Sequence, residues 1–245
     1  MMENYNIRLK EVIKTFTKRL FYNLFDELEA ETIFLKKTFL EITPQLGIEN
    51  GESLWNEFQS QFPSIRQKLD LDAVSFLKND PASTCIKEVY LAYPGFYAIS
   101  IYRLSHQLYL LKVPILPRMM SEYVHGITGI DIHPGATIGE SFFVDHGTGI
   151  VIGETSIIKS NVKIFQGVTL GGIQVKKEMQ STKRHPTIED NVTIYANATI
   201  LGGDIIIGAN STIGANVWIT QSVPENSLVT YQTEIKIRPK KNGIN

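Results

Sequence analysis

The chain has 245 residues, enough for one large core or two smaller ones. Its 24 lysines and arginines nearly balance 25 aspartates and glutamates, and no basic run stands out, so we expect no nucleic-acid partner. The single cysteine, Cys85, excludes an internal disulfide and a metal site of several cysteines. No stretch has the ~20 apolar residues of a membrane helix, and no apolar signal segment opens the chain; we expect a cytoplasmic protein with no membrane partner.

The N-terminal half has the apolar spacing of α-helices. Residues 1 to about 80 carry this pattern, and it continues through 98–113 and 114–129, where glycines end the last helix. In "DPAS", Asp80 suits a helix N-cap and Pro81 the first helical position, which predicts a helix beginning there. We therefore predict an α-helical domain over residues 1–129.

From residue 130 the period changes to six. Small or β-branched residues follow four positions after most of the repeated aliphatic residues, as Ala136 and Thr148 do, and Gly, Asn and Asp fill the corners between. The six-residue register slips at 150–152, 171–187 and 200–207. The repeated aliphatic positions are Ile132, Ile138, Val144, Ile152, Ile158, Ile164, Leu170, Ile188, Ile194, Ile200, Ile207, Ile213 and Ile219. This hexapeptide period predicts a parallel β-helix over residues 130–226, an α+β fold, and a C-terminal tail over 227–245.

The motifs in this order resemble bacterial serine O-acetyltransferases. They are "DPAS" (80–83), "DIHPGATIG" (131–139), "DHGTGIVIGET" (145–155), "GVTLGG" (167–172) and "RHP" (184–186). The hexapeptide repeat alone is shared by many unrelated activities, so the ordered motifs carry the resemblance. It implies a left-handed β-helix, a homotrimer with acetyl-CoA as co-substrate in the grooves between neighbours, and a helical part that often joins two trimers.

The resemblance also implies roles for the charged residues. His146, expected at an outward corner as the third position of the hexad from Val144, would be the general base, since histidine titrates near neutral pH. Asp131 would orient its imidazole. Asp80 and Asp145 would bind the ammonium of L-serine, while Arg184 and His185 would bind its carboxylate, which arginine can grip with two hydrogen bonds.

Small residues are expected along the acetyl-CoA groove. Gly171 and Gly172 would let the backbone approach the pantetheine arm, and Ala196 and Ala215 match positions that flank the groove. The lysines of the 173–183 loop could meet phosphates of CoA or simply be solvated. No metal is expected.

Simpler interpretations exist for single residues. Asp80 could be only a helix cap, and Asp145 and His146 only solvated corner residues. His106 and His125 lie in helical segments and are expected to be structural. His133, before a proline, could be a turn residue or support the site.

Three rival functions remain open from sequence. A hexapeptide acetyltransferase acting on a sugar or antibiotic hydroxyl would use the same kind of histidine, but it needs no pocket for an ammonium and a carboxylate. A carbonic anhydrase would need three histidines converging on zinc, and the short paired-histidine spacing is missing. An inactive scaffold would show unchanged acetyl transfer after His146→Ala.

Some features depart from the resemblance. Tyr195 stands where a small residue is usual, and the run Gly-x-Pro-Ala-Arg after the last coil is missing. The chain ends Ile244-Asn245, whereas many members end in isoleucine, so we expect weak or absent binding to O-acetylserine sulfhydrylase.

Overall fold

The N-terminal half is helical. The structure, a computed structural model, describes residues 6–26, 28–173 and 182–232. The helices are α1 (Leu9–Asp26), α2 (Glu29–Ile42), α3 (Gly51–Ser60), α4 (Phe62–Asn79), α5 (Ile86–Ala92), α6 (Pro94–Leu110) and α7 (Leu116–Thr128), with a 3-10 turn at Thr43–Leu46. Among the described residues, no helix combines the length and apolarity needed to cross a bilayer. The helical half is confirmed.

One helix start was predicted wrongly. Asp80 is the C-terminal cap of α4, and α5 begins only at Ile86. The Asp80 carboxylate accepts a hydrogen bond from the backbone N–H of Ala82 (2.8 Å), which closes a turn over residues 80–82. An aspartate before a proline favours such a turn as well as a helix start, and here the turn prevails.

The C-terminal half is a parallel β-helix, so the predicted fold class is confirmed. Successive strands belong to the three sheets in turn, and each of β1 to β10 pairs with the strand three places further along the chain. After β13, a single bridge between Ile207 and Val223 takes the place of a strand, so β12 pairs with β14. The strands are β1 (Asp131–Ile132), β2 (Thr137–Ile138), β3 (Phe143–Asp145), β4 (Val151–Ile152), β5 (Ile157–Ile158), β6 (Lys163–Phe165), β7 (Thr169–Gly171), β8 (Thr187–Ile188), β9 (Thr193–Ile194), β10 (Thr199–Leu201), β11 (Ile206–Ile207), β12 (Thr212–Ile213), β13 (Trp218–Ile219) and β14 (Leu228–Val229).

The strand register explains the slips in the repeat. Asp131 pairs with Val151, Val151 with Thr169, Thr169 with Thr199 and Thr199 with Trp218. The steps are therefore 20, 18, 30 and 19 residues, against the 18 of three hexapeptides. The surplus residues of the last two irregular steps fall at the predicted slips 171–187 and 200–207, whereas the surplus of the first step lies before the predicted slip at 150–152, between Asp145 and Thr148. The last strand, β14, lies inside the segment predicted as a tail, of which residues 233–245 are outside the described residues.

The interior of the coils is filled by the predicted aliphatic positions, all of which are buried. One inward position was wrong: Thr148 is exposed, and Ile150 is buried in its place. The step of 20 residues puts two extra residues before it, which shifts the inward position along the chain.

Asparagines hold the corners. Asn191, Asn197, Asn210, Asn216 and Asn226 all have φ between 57° and 61°, a region that asparagine tolerates better than most residues. Their side-chain amides form ladders between coils, as from Asn191 Nδ2 to Asn210 Oδ1 (3.0 Å). The corner residues predicted from the sequence therefore also tie neighbouring coils together.

The helices are joined to the first coil by one continuous core and by a buried ion pair. The rings of Phe76 on α4 and Phe143 on β3 lie 4.9 Å apart. Arg103 donates from Nε and Nη2 to Asp72 (2.6 and 2.8 Å), and both side chains are buried. Asp72 also accepts from the backbone N–H of Phe142 (2.9 Å). The division into separate domains stays a prediction, because the two halves share this core.

Candidate active site

His146 lies on an insertion in the first corner between β3 and β4. Asp145 pairs with Phe165, while the N–H of Gly167 donates to the carbonyl of Thr148, as residues one coil apart do. This hydrogen bond makes Thr148 the counterpart of Gln166 in the next coil. Phe165 and Gln166 are consecutive, whereas Asp145 and Thr148 are three residues apart, so His146 and Gly147 are the two extra residues. His146 is therefore not the third position of a regular hexad, although it does lie at an outward corner, as predicted.

The insertion projects the imidazole outward. His146 has φ 56°, a conformation that is strained for a residue with a side chain, and 71% of its side chain is exposed. The following residue must be small: Gly147 has φ 84°, and a Cβ there would lie 2.4 Å from Ile130 Cδ1. The sharp turn is closed by the Gly147 N–H, which donates to the Asp145 carbonyl (2.6 Å).

Asp145, not Asp131, is the carboxylate closest to His146 among the contacts of the described residues. Its Oδ2 lies 3.8 Å from His146 Nε2. Asp131 opens β1 one coil below Val151, at the same corner of the prism, and its carboxylate lies beside Glu122 and His125 of α7. The pairing of Asp131 with His146 stays a prediction.

Asp80 and Asp145 are brought to one side of the prism by packing of α4 and α6 on β3. A Cβ on Gly95, in the first turn of α6, would lie 2.8 Å from the Val144 carbonyl, which shows how closely the backbones approach. Asp80 is half-buried, and its Oδ2 accepts from the hydroxyl of Tyr93 (2.5 Å). This hydrogen bond raises the pKa of Tyr93. Asp80 therefore lies at the end of α4, a helix that packs on β3, and Asp145 is the last residue of β3.

Arg184 and His185 lie on a different edge, where β4 turns into β5 and β7 leads to β8. Glu154 forms an ion pair with Arg184 Nη2 and accepts a hydrogen bond from Tyr109 of α6 (3.1 Å). Burial raises the pKa of Glu154, but the hydrogen bond from Arg184 holds it below its usual value. Thr155 Oγ1 accepts from the backbone N–H groups of Arg184 (2.9 Å) and His185 (3.1 Å). Both residues are thus held by their side chains and backbones.

The surroundings of His185 favour a neutral ring with one tautomer. Burial, together with the charges of Arg184 and Lys183, lowers the pKa of His185 to about 4. The backbone N–H of Thr155 donates to its Nδ1 (3.0 Å), so the proton of the neutral ring is on Nε2. His185 can therefore donate a hydrogen bond to a carboxylate but does not add a positive charge at neutral pH. The positive charge of this edge comes from Arg184 and Lys183.

The small residues predicted for the acetyl-CoA groove are divided between the two edges. Ala196 and Ala215 lie at the corner above His146, one coil apart, because the Asn216 N–H donates to the Ala196 carbonyl (3.0 Å). Gly171 ends β7 and Gly172 follows it, at the edge of Arg184. Within one chain, the predicted site is therefore split between two edges of the prism that sheet β1-β4-β7-β10-β13 separates.

Sequence reasoning missed the residues that hold the site together. Glu154 and Thr155 lie inside the quoted "DHGTGIVIGET" motif. Only their contacts with Arg184 and His185, 30 positions further along the chain, show that they hold these two residues in place. Tyr195, the noted departure, stacks on Phe165 (ring centroids 4.8 Å apart), in the same column as Asp145. His106 is structural as expected, with Nδ1 2.7 Å from the Pro134 carbonyl.

The fold and the repeat place the chain among the hexapeptide-repeat proteins. A family model described as "Bacterial transferase hexapeptide (six repeats)" matches residues 185–221. A crystal structure of serine acetyltransferase isoform 3 from Entamoeba histolytica, in complex with cysteine, is similar over 94% of this chain and 84% of that chain, with a TM-score of 0.83 and 34% identity. The chain belongs to the serine acetyltransferase family.

Curated relatives agree with this family. A plasmid serine acetyltransferase of Synechococcus elongatus is 46% identical over 201 residues, which are 80% of this chain and 62% of that protein. A Bacillus subtilis serine acetyltransferase is 51% identical over 51% of this chain and 54% of its own length. The matched stretch thus spans less than two thirds of these relatives.

Two other similar structures are in complex with CoA or serine. One is a serine acetyltransferase in complex with CoA (TM-score 0.64, 30% identity, 91% of this chain and 95% of that chain). The other is a Neisseria gonorrhoeae serine acetyltransferase in complex with serine (TM-score 0.67, 30% identity, with the same coverage).

Proposed function

We propose that this chain is a serine O-acetyltransferase, which transfers the acetyl group of acetyl-CoA to the hydroxyl of L-serine and gives O-acetyl-L-serine for cysteine biosynthesis in the cytoplasm. The observation that carries the proposal is the His146–Gly147 insertion, which projects an imidazole from a rigid corner beside Asp145. Family membership and the relatives that bind serine and CoA support the choice of substrates.

The chemistry needs a base for a weak nucleophile. His146 takes the proton of the serine hydroxyl as its oxygen attacks the thioester carbonyl carbon, and the tetrahedral intermediate collapses with loss of the CoA thiolate. The imidazolium then returns the proton to the thiolate, so that CoA leaves as the thiol. Asp131 orients the imidazole and stabilises its charge. A positioned base typically contributes a factor of roughly 10²–10⁴, so positioning of both substrates supplies the rest.

The substrate is held at both ends. Asp80 and Asp145 bind the ammonium group, and Arg184 binds the carboxylate. His185 adds a neutral Nε2–H donor, in keeping with its buried ring and its Nδ1 acceptor. Gly171, Gly172, Ala196 and Ala215 line the acetyl-CoA groove. A pocket with two opposite charges suits an amino acid and has no use in a sugar acetyltransferase.

The split site favours assembly. One edge carries His146, Asp145 and Ala196, while another carries Arg184 and His185, and a whole face of the prism lies between them. In a homotrimer the edge of one copy faces a different edge of its neighbour, which would complete each site; the helical half would join two trimers.

A thiol-release assay tests the function. We expect turnover with L-serine, less with homoserine and none with a sugar acceptor. His146→Ala should lower kcat by roughly 10²–10⁴ and largely spare acetyl-CoA affinity. Arg184→Ala should mainly raise the KM for serine, whereas the exposed control Arg8→Ala should change neither constant. Full activity of His146→Ala, or a preference for the sugar, would exclude the proposal.

A further inference from the structure

Three potential metal ligands converge where α7 meets the β-helix. Glu122 and His125 are three residues apart near the end of α7, which places their side chains on one face of the helix. The helix ends at Gly129, whose left-handed backbone (φ 70°) reverses the chain, so that Asp131 returns beside the last turn. One carboxylate oxygen of each acid and one ring nitrogen of His125 lie within 4.8 Å of one another.

The contacts of Glu122 leave one of its two carboxylate oxygens beside the ring of His125. Arg118 forms an ion pair with Oε1 of Glu122, while Oε2 lies 3.5 Å from His125 Nδ1. Arg118 thereby fixes the carboxylate, as residues around metal ligands commonly do. Ligand atoms about 2.1 Å from a tetrahedral ion lie roughly 3.4 Å apart, so each side chain must move by only about 1 Å. The side chains of His125 and Glu122 are 41% and 47% exposed, which permits that movement and gives an ion access.

We propose that Glu122, His125 and Asp131 form a site for a divalent transition-metal ion of the zinc type. One imidazole and two carboxylates, with water in the fourth position, is a donor set that Zn²⁺ and Co²⁺ accept. A bound ion also affects the reaction, because it coordinates the carboxylate of Asp131, which would otherwise orient His146. This effect rests on the proposed function. The metal therefore acts as an inhibitor that lowers kcat and leaves acetyl-CoA affinity unchanged.

Binding is tested with Co²⁺ alone on full-length protein freed of metal by a chelator. We expect one Co²⁺ per chain, visible absorption bands of a tetrahedral ion, and their displacement by Zn²⁺. His125→Ala and Glu122→Gln should each weaken binding by roughly 100-fold. The control Glu11→Gln, on an exposed acid of α1 that pairs with Lys14 three residues away, should bind as the unchanged protein does. Absence of the bands, or undiminished bands in His125→Ala, would overturn the site.

Activity is measured on the same proteins. Zn²⁺ should lower kcat for the unchanged protein and for Glu11→Gln, but should leave kcat of His125→Ala at the value that this variant has without metal. Binding without any loss of kcat would overturn the connection to Asp131. A chain that binds Co²⁺ as expected yet never acetylates serine would contradict the proposed function and leave the metal site standing.

Discussion

Replacing Arg103 by methionine should strongly destabilise the fold. Asp72 accepts two hydrogen bonds from Arg103 and one from the Phe142 N–H, and it has no exposed surface. The substitution leaves a buried carboxylate with one donor and removes the hydrogen bond from Arg103 to the Gly139 carbonyl (2.8 Å). Breaking one side of a buried ion pair costs about 3–5 kcal/mol, a large part of the ~5–15 kcal/mol by which proteins are stable.

The assay is urea denaturation at one fixed chain concentration, because the proposed assembly would make stability concentration-dependent. The matched control is Arg118→Met, since Arg118 pairs with Glu122 on the surface, where a pair is worth about 0–1 kcal/mol. Burial raises the pKa of Asp72, and losing Arg103 raises it further, so the folded variant takes up a proton more readily than the unfolded chain. Its deficit should therefore shrink as pH falls. A loss below about 1 kcal/mol, equal to that of the control, would refute the reasoning.

Three further predictions concern the Arg184 edge. The unfolded chain protonates His185 near 6.5 and the folded chain only near 4, so stability should fall as pH drops through this window, by up to about 3 kcal/mol; urea titrations that show the same pH dependence for His185→Asn would contradict this. Thr155→Val removes the hydroxyl that accepts from two backbone N–H groups and should raise the KM for serine, with Thr155→Ser restoring it. Gly153→Ala puts a Cβ 2.1 Å from the His185 ring and should raise the same KM and lower Tm, while an unchanged KM would show that the ring position does not matter.

The β-helix was predictable because each hexapeptide uses the same local rule. Aliphatic residues such as Ile164 and Ile194 point inward in every coil, and asparagines such as Asn197 occupy the left-handed corners. Both preferences act within a few residues of sequence, so the period exposes them. The slips of register were visible for the same reason. The strand pairing confirms those at 171–187 and 200–207 and moves the first from 150–152 to residues 146–147.

Local rules failed where two structures compete over a few residues. The turn at Asp80 and the exposed Thr148 are such cases. The sequence shows that two residues are extra between Val144 and Ile152, but pairing with the next coil is needed to identify them as His146 and Gly147. The roles of Asp131 and the other predicted site residues stay predictions.

The amino-acid sequence by itself determined the helical half and the repeating coil, because periodicity and corner chemistry are local. Only the tertiary structure decided which edge each residue occupies, that Glu154 and Thr155 hold Arg184 and His185, and that Glu122, His125 and Asp131 converge. The contacts of Glu154 and Thr155 with Arg184 and His185 depend on the coil pitch, and the approach of Asp131 to Glu122 and His125 depends on how the chain turns after α7, neither of which follows from local residue preferences.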